Sequence, residues 1–351
     1  MDVGADSVGL VSAVGAAGSV AALRQAAARL PELQIRMVAS GATPRDLGLA
    51  VTAVTDAVTR RLLEAAEADL GPPPVPYAWL ACGSQARREQ TVLSDQDNAL
   101  LLSDEAGDAH DAWFAALARR VNDGLDACGF PLCPGESMAR NPEWRRTGHG
   151  WREHFDSWIE RPSRWAMMRA NIFLDLRAVA GDATLLAPVL EHVRRKVEGS
   201  VVFVAHLTAN SLQERPPLGI FRRLVVDRGG EHPATVDLKS GGILPVVKLA
   251  RIHALAAGAD ALGTVDRLRA AAERGSLSRS GAADLEDAFG FVSAMRARHQ
   301  AELLGRGLAL DNRVRPGDLP PAERAQLRDA FAAIARQQAR VAEIYRARWI
   351  V

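Results

Sequence analysis

The stretch Cys82-Gly83-Ser84-Gln85-Ala86-Arg87-Arg88-Glu89-Gln90-Thr91-Val92-Leu93-Ser94-Asp95-Gln96-Asp97-Asn98-Ala99-Leu100-Leu101-Leu102 sets a small-residue turn and two carboxylates between apolar runs. Tyr77 to Ala81 and Ala99 to Leu102 read as short strands, with a short helix from about Gln85 between them. Asp95 and Asp97 stand at i and i+2 at the start of the second strand, so strand geometry sends both side chains to one face. Carboxylates this close repel, and one would keep its proton unless a cation neutralised the pair. Mg2+ (or Mn2+) suits them, because it takes carboxylate oxygens, keeps part of its water and bridges phosphates. Gly83-Ser84 ahead of the helix lets backbone N–H groups approach a polyphosphate. Arg87 and Arg88 fall in the first turn, where one can reach phosphate oxygens while the other faces solvent.

Outward from this stretch, Gly71-Pro72-Pro73-Pro74 marks a boundary on the amino-terminal side. Residues 1–70 read as helical, with Leu23, Ala27, Leu30, Leu33 and Met37 at helical spacing and a second run from Leu47 to Leu70. Between the runs, Thr43 fits an N-cap and Pro44 a first helical position. On the carboxyl-terminal side, Asp111 to Cys128 reads as a helix closed by Gly129, and Cys133 to Arg164 shows weak periodicity. Ile172 to Arg177 reads as a strand ended by Gly181-Asp182. On it Asp175 alternates with Phe173 and Arg177 and is the candidate third carboxylate of a metal clamp, ahead of the turn residue Asp182. From Thr184 onward the pattern is helical. The expected class is α+β: a small mixed-sheet core at 71–183, an amino-terminal helical segment at 1–70 and a carboxyl-terminal helical bundle at 184–351, with the active site in the cleft between core and bundle.

Composition removes several classes of function. With 351 residues, 48% of them apolar and 24% charged, the chain reads as an ordinary globular protein of one large or two smaller domains. A formal net charge of +1 gives no electrostatic footprint for nucleic acid or for an anionic membrane. Three cysteines, at 82, 128 and 133, do not make a disulfide framework and suit a reducing cytoplasm. The apolar stretch from Val8 to Leu23 follows Asp2 and Asp6 with no basic residue ahead of it, the wrong flank for a secretory leader. No run approaches the ~20 apolar residues of a membrane span.

Gly83-Ser84, ten residues, then Asp95-x-Asp97 resembles the signature of the polymerase-β-type nucleotidyltransferase superfamily. The segment Gly83 to Ala99 resembles, more narrowly, the nucleotidyltransferases related to protein-PII uridylyltransferase. Similar segments follow in order at Cys133-Pro134-Gly135-Glu136-Ser137-Met138-Ala139-Arg140-Asn141-Pro142-Glu143-Trp144 and at Ile172 to Asp182. The carboxyl-terminal part is similar to that family's substrate-binding domain through Asp237-Leu238-Lys239, Gly242-Ile243-Leu244-Pro245, Ala250 to Leu255, Thr264 to Leu268 and His299-Gln300. The resemblance implies metal-dependent transfer of a nucleoside monophosphate from UTP or ATP to an acceptor hydroxyl. It implies Asp95, Asp97 and Asp175 as catalytic metal ligands, with Gly83, Ser84, Arg87, Lys239 and Arg251 at the nucleotide. The acceptor it suggests is a Tyr or Ser of a PII-like regulatory protein, in a signalling role, or a small molecule. Relatives often carry cyclic-nucleotide-binding and CBS modules upstream, for which the first 70 residues leave no room.

Other residues carry weaker alternatives. Cys128 and Cys133 with His149 and His154 could be arranged as zinc ligands, but their spacing matches no tight ligand pair. The tryptophans at 144, 151, 158 and 165 recur every seven residues, which favours one packed face over a base-stacking platform. Lys248, Arg251 and His253 either face the triphosphate or the acceptor, or form a solvated helix face; Arg222, Arg223 and Arg228 read as surface residues. Two further functions compete with nucleotidyl transfer. One is a nucleotide-binding regulatory module that uses the same cleft without turnover. The other is a toxin–antitoxin-type nucleotidyltransferase, which goes with a much shorter chain.

Overall fold

Thr43 opens the longest helix of the amino-terminal part. Its hydroxyl accepts the Asp46 N–H at 3.2 Å while the Asp46 carboxylate accepts the Thr43 N–H at 3.1 Å, and Pro44 takes the first helical position. In the computed structural model, which describes residues 3–219, 223–227, 229 and 232–345, this helix is α4 (Pro44–Leu70), preceded by α1 (Val3–Gly15), α2 (Val20–Ala27) and α3 (Leu30–Ala39). The three earlier helices pack on α4, and Gly71, at φ +84°, ends it where the Gly-Pro-Pro-Pro signal stands. The chain forms two compact units, Met1–Ser157 with Arg169–Val193 and Trp158–Met168 with Arg194–Val351. Residues of the amino-terminal helices therefore belong to the same unit as the sheet.

That sheet has four strands, β1 (Tyr77–Cys82), β2 (Asn98–Leu102), β3 (Arg145–Thr147) and β4 (Leu176–Gly181), in the order β3-β2-β1-β4. β1 runs antiparallel to both neighbours and β3 parallel to β2, so the sheet is mixed, as the α+β reading requires. Every residue of β1 and β2 is buried. The single-turn helix α5 (Gly83–Arg87) joins them, and α6 (Asp108–Ala127) follows β2 and packs against α4. From α7 (Gly148–Glu160), Trp151 donates its indole N–H to the Leu100 carbonyl of β2 at 3.0 Å and stacks on Trp144, 6.2 Å between centroids. Trp144 in turn stacks on Phe173 at 4.1 Å. Trp144, Trp151 and Trp158 are buried, so their recurrence marks packing, whereas Trp165 is exposed.

One element differs from the sequence reading at a place that matters. Ile172 and Phe173 are not on a strand with Asp175: they end the helix α8 (Arg164–Phe173), Leu174 and Asp175 form a turn, and β4 starts at Leu176. The apolar run continues the helical period of Met167, Ala170 and Phe173, all buried. A short apolar run cannot be assigned to strand or helix by periodicity alone.

In the second unit, α10 (Val201–Ser211), which follows α9 (Leu186–Glu198), packs against α11 (Leu244–Ala256). With them are α12 (Thr264–Glu273), α13 (Arg279–Gly305), α14 (Pro321–Ile344) and a two-stranded ribbon, β5 (Val236–Asp237) with β6 (Arg313–Val314), which the purely helical reading did not contain. A π-helical turn, Lys239–Ile243, enters α11, and the Asp237 carboxylate accepts the N–H groups of Lys239 at 2.8 Å and Ser240 at 2.9 Å. α11 is buried from Pro245 to Ala254, so Lys248, Arg251 and His253 are interior and not a solvated face; Lys248 is ion-paired to Glu214. Arg223 is exposed; Arg222 and Arg228 lie outside the described residues. Among the described residues no helix is long and apolar enough to cross a membrane.

Two expectations follow from the first unit. A Cβ on Gly48 of α4 would stand 2.5 Å from the Arg88 carbonyl oxygen, which is backbone and cannot rotate away. Gly48→Ala should therefore lose about 1–3 kcal/mol, read as a lowered midpoint of thermal unfolding. His154 is half-buried beside Trp144 and Trp151, and desolvation, with the Arg146 charge second, pushes its imidazole down to about 4. The unfolded chain takes this proton first, so the contribution is complete above the ordinary histidine range and is lost as pH falls toward 4. His154→Gln should flatten the decline of stability between pH ~6.5 and pH ~5, measured by denaturant titration at each pH.

Candidate active site

The carboxyl end of β1 organises the acids. The Cys82 N–H donates to the Asp97 carbonyl at 3.0 Å and the Gly83 N–H to the Asp175 carbonyl at 3.2 Å, so the two acid-bearing segments flank one turn. Gly83 has φ +54°, and a Cβ there would lie 3.2 Å from the Asp97 carboxylate, so both conformation and space call for glycine. Asp175 already takes the Gly83 N–H, and the Ser84 N–H, which precedes the first intrahelical bond, and the Ser84 hydroxyl are among the donors of the turn. That hydroxyl is half-buried and makes no hydrogen bond among the described residues.

Asp95 and Asp97 share a face. One oxygen of each and the Cys133 sulfur all lie within 4.8 Å of one another. The alternate residues, Gln96 and Asn98, point into a buried amide lattice with Asn122 of α6. Asn122 Nδ2 donates to Gln96 Oε1 at 2.7 Å and to Asn98 Oδ1 at 2.9 Å, and Gln96 Nε2 donates to the carbonyls of Asn122 at 3.1 Å and Phe130 at 3.0 Å. The same lattice holds the loop after α6, since Asn98 Oδ1 accepts the Ala139 N–H and Asn122 Oδ1 the Arg140 N–H, each at 2.9 Å. Cys133 lies in this loop, buried, its sulfur within 4.8 Å of an Asp97 oxygen; burial first, and then the Asp97 charge, push its thiol up to about 12. Two carboxylates and a sulfur within the span of a single ion fit a divalent cation.

Asp175 is placed differently. It is fully buried, outside that group of donors, and Arg87 Nη1 reaches its Oδ2 at 2.5 Å while Arg87 Nε reaches Glu89 Oε2 at 2.7 Å. Burial alone would lower the Arg87 guanidinium, but Glu89 and Asp175 hold it firmly protonated. Beneath the turn, Arg177 of β4 forks onto Asp56 of α4 at 2.8 and 3.0 Å and donates to the Gln85 carbonyl at 3.0 Å, while Gln85 Nε2 donates to Asp56 at 2.9 Å. The sequence reading did not anticipate Asp56, Arg177, the amide lattice or Cys133 beside the acids. The available signal was Asp56 in an apolar face of α4 and Arg177 in an apolar strand.

The remaining candidates fall elsewhere. Lys239 and Arg251 belong to the second unit, Lys239 half-buried with no side-chain partner among the described residues, and Arg251 buried. Asp182 accepts the Thr184 N–H at 3.0 Å in an exposed turn. Arg88 is exposed at φ 59°. The four candidate zinc ligands are not brought together: among the described residues Asp95, Asp97 and Cys133 are the one cluster of ion-holding type.

Comparison with known proteins gives two matches in order along the chain. Residues 28–164 match the family model described as Putative nucleotidyltransferase DUF294, a span with Gly83, Ser84, Asp95, Asp97 and Cys133 inside it and Asp175 beyond its end. Residues 201–345 match the model described as Putative nucleotidyltransferase substrate binding domain, which includes Lys239 and Arg251. No curated protein matches the chain. With both domains present in sequence and most of its length within them, the chain belongs to this family of nucleotidyltransferases.

Proposed function

We propose that the first unit moves a nucleoside monophosphate from UTP or ATP to an acceptor hydroxyl, with Asp95, Asp97 and Asp175 as its acids. The observation that supports this most directly is the meeting of Asp95 and Asp97 on one face, with Asp97 against the Gly83-Ser84 turn. In this reading the Ser84 hydroxyl and N–H donate to a phosphate oxygen of the triphosphate. Asp95 and Asp97 hold Mg2+ or Mn2+. A divalent ion there would neutralise phosphate charge and assist ionisation of the attacking hydroxyl. The Gln96–Asn98–Asn122 lattice fixes the backbone that carries both acids, so they need not reorganise when substrate arrives. Arg87 acts on Asp175 and not on phosphate: its guanidinium keeps that carboxylate charged in a buried setting. In the second unit Lys239, whose amine has no partner among the described residues, is the proposed contact for an anionic group of the substrate, supported by the buried Arg251. The acceptor class suggested by the family resemblance is a hydroxyl of a PII-like regulatory protein.

The test is pyrophosphate release from ATP and from UTP with Mg2+, with labelled nucleotide then followed into a cell lysate to identify the acceptor. Asp97→Asn should reduce release by on the order of 10²–10³-fold, with circular dichroism and melting unchanged. Wild-type turnover in this variant would overturn the assignment. Tight nucleotide binding by the wild type without release would instead identify a regulatory nucleotide sensor. For Arg87, Arg87→Met should cost about 3–5 kcal/mol by removing the guanidinium that offsets the buried Asp175 charge. The double variant with Asp175→Asn should regain most of that loss in a denaturant titration.

A further inference from the structure

We propose that the Cys133 sulfur is itself a ligand of the ion held by Asp95 and Asp97, which makes this a mixed carboxylate–thiolate site that favours borderline and soft divalent ions of the Zn2+, Co2+ and Cd2+ type over Mg2+. The inference rests on the reading of Asp95 and Asp97 as metal-binding acids and adds to it a third protein ligand and a metal preference.

Three observations carry it. The first is mutual geometry: the sulfur lies within 4.8 Å of an oxygen of each acid, a span that one ion can bridge. The second is that this geometry is built. Gln96 N–H donates to the Pro131 carbonyl and Asn98 N–H to the Ser137 carbonyl, each at 3.0 Å, so backbone bonds on both sides of Cys133 tie its loop to the acid-bearing segment. Within the loop Glu136 takes φ 54°, a conformation unfavourable for a residue with a Cβ, and its N–H donates to the Cys133 carbonyl at 3.0 Å. Arg169 braces the far side, donating to the Gly135 carbonyl at 2.6 Å and to Ser137 Oγ at 3.0 Å. The third is the contrast with the other two cysteines. Cys82 is fully buried at the end of β1, its N–H bonded to the Asp97 carbonyl, yet its sulfur is not in the donor group; Cys128, which caps α6, is outside it too. Of the three, only the Cys133 sulfur stands in the donor group with the acids.

The chemistry is a proton exchange with no change of oxidation state. The Cys133 S–H bond breaks, a sulfur–metal bond forms, and the proton passes to solvent, so the donor set goes from two negative charges to three. Zn2+, Co2+ and Cd2+ gain from a sulfur ligand, whereas Mg2+ takes oxygen and keeps its water. Mg2+ would therefore bind through the two acids alone and compete with the softer ions for them.

Titration of the intact protein with Co2+, followed in the near ultraviolet, tests this. Wild type and Cys128→Ser should develop a sulfur-to-cobalt charge-transfer band, and Cys133→Ser should lack it. Loss of a direct ligand should weaken Co2+ binding by at least the roughly 10–100-fold typical of losing an outer partner, while Mg2+ affinity measured by calorimetry stays the same. A band that persists in Cys133→Ser, or saturable Co2+ binding by wild type without a band, would overturn the sulfur ligand and leave the acids standing. Failure of both Co2+ and Mg2+ to bind would overturn the metal reading of the acids as well. Cadmium NMR of the unmodified protein gives a check free of folding effects: a resonance in the sulfur-ligated range is expected, and one in the oxygen-only range rejects the proposal.

Discussion

Two backbone hydrogen bonds at the end of β1, from Cys82 N–H to Asp97 and from Gly83 N–H to Asp175, set the geometry on which the rest of the site depends. Buried N–H groups require partners, and here the partners are the carbonyls of the acidic residues themselves. The strand that carries the turn thereby fixes two distant segments, one entering β2 and one entering β4. Register then does the remaining work. With Ala81 opposite Asn98 and Cys82 opposite Leu176, each acid lies one position outside its strand, beside the glycine whose missing Cβ leaves room for the Asp97 carboxylate.

The segment from Asp95 to Asn98 separates polarity by face. Its odd positions present carboxylates, and its even positions present amides whose hydrogen bonds are met inside the protein by Asn122 and by loop carbonyls. A buried polar network with its partners in place is rigid, and it discriminates sharply against a slip of one residue, which would bury the carboxylates and expose the amides. The fork of Arg177 on Asp56 plays the equivalent part below the turn, joining β4 to α4 across 121 residues of sequence. This linkage makes the amino-terminal helices part of the scaffold of the site and not an appendage.

What was legible in the sequence rests on local periodicity. The shared face of Asp95 and Asp97, the cap at Thr43 and Pro44, the two apolar strands and the Gly-Pro stop follow from a few adjacent residues each. What was illegible depends on partners far along the chain. β3 is three polar residues, a strand only because β2 offers it an edge. Ile172 and Phe173 look like strand but complete a helix packed against Trp144, which leaves Asp175 in a turn. Cys133 reaches the acids through loop bonds that no spacing rule encodes. The pairing of Arg87 with Asp175 was hidden for the same reason: next to a glycine turn an arginine suggests phosphate, and only the fold shows a buried carboxylate within its reach.

That pairing has an electrostatic consequence for a site proposed to receive both a cation and a polyphosphate. Three uncompensated carboxylates around one turn would attract a cation strongly and repel the phosphates that have to follow it. Here the acids have unequal surroundings. Asp175 is fully buried and its charge is met by Arg87, whereas Asp95 and Asp97 are half-buried. The Asp175 charge is thus offset inside the protein, and Asp95 and Asp97 are the acids that stand closer to the surface. In the proposed reaction a triphosphate approaching the Ser84 donors would meet a turn whose third carboxylate is already offset by Arg87, so this pairing lowers the repulsion without removing the acid from the turn.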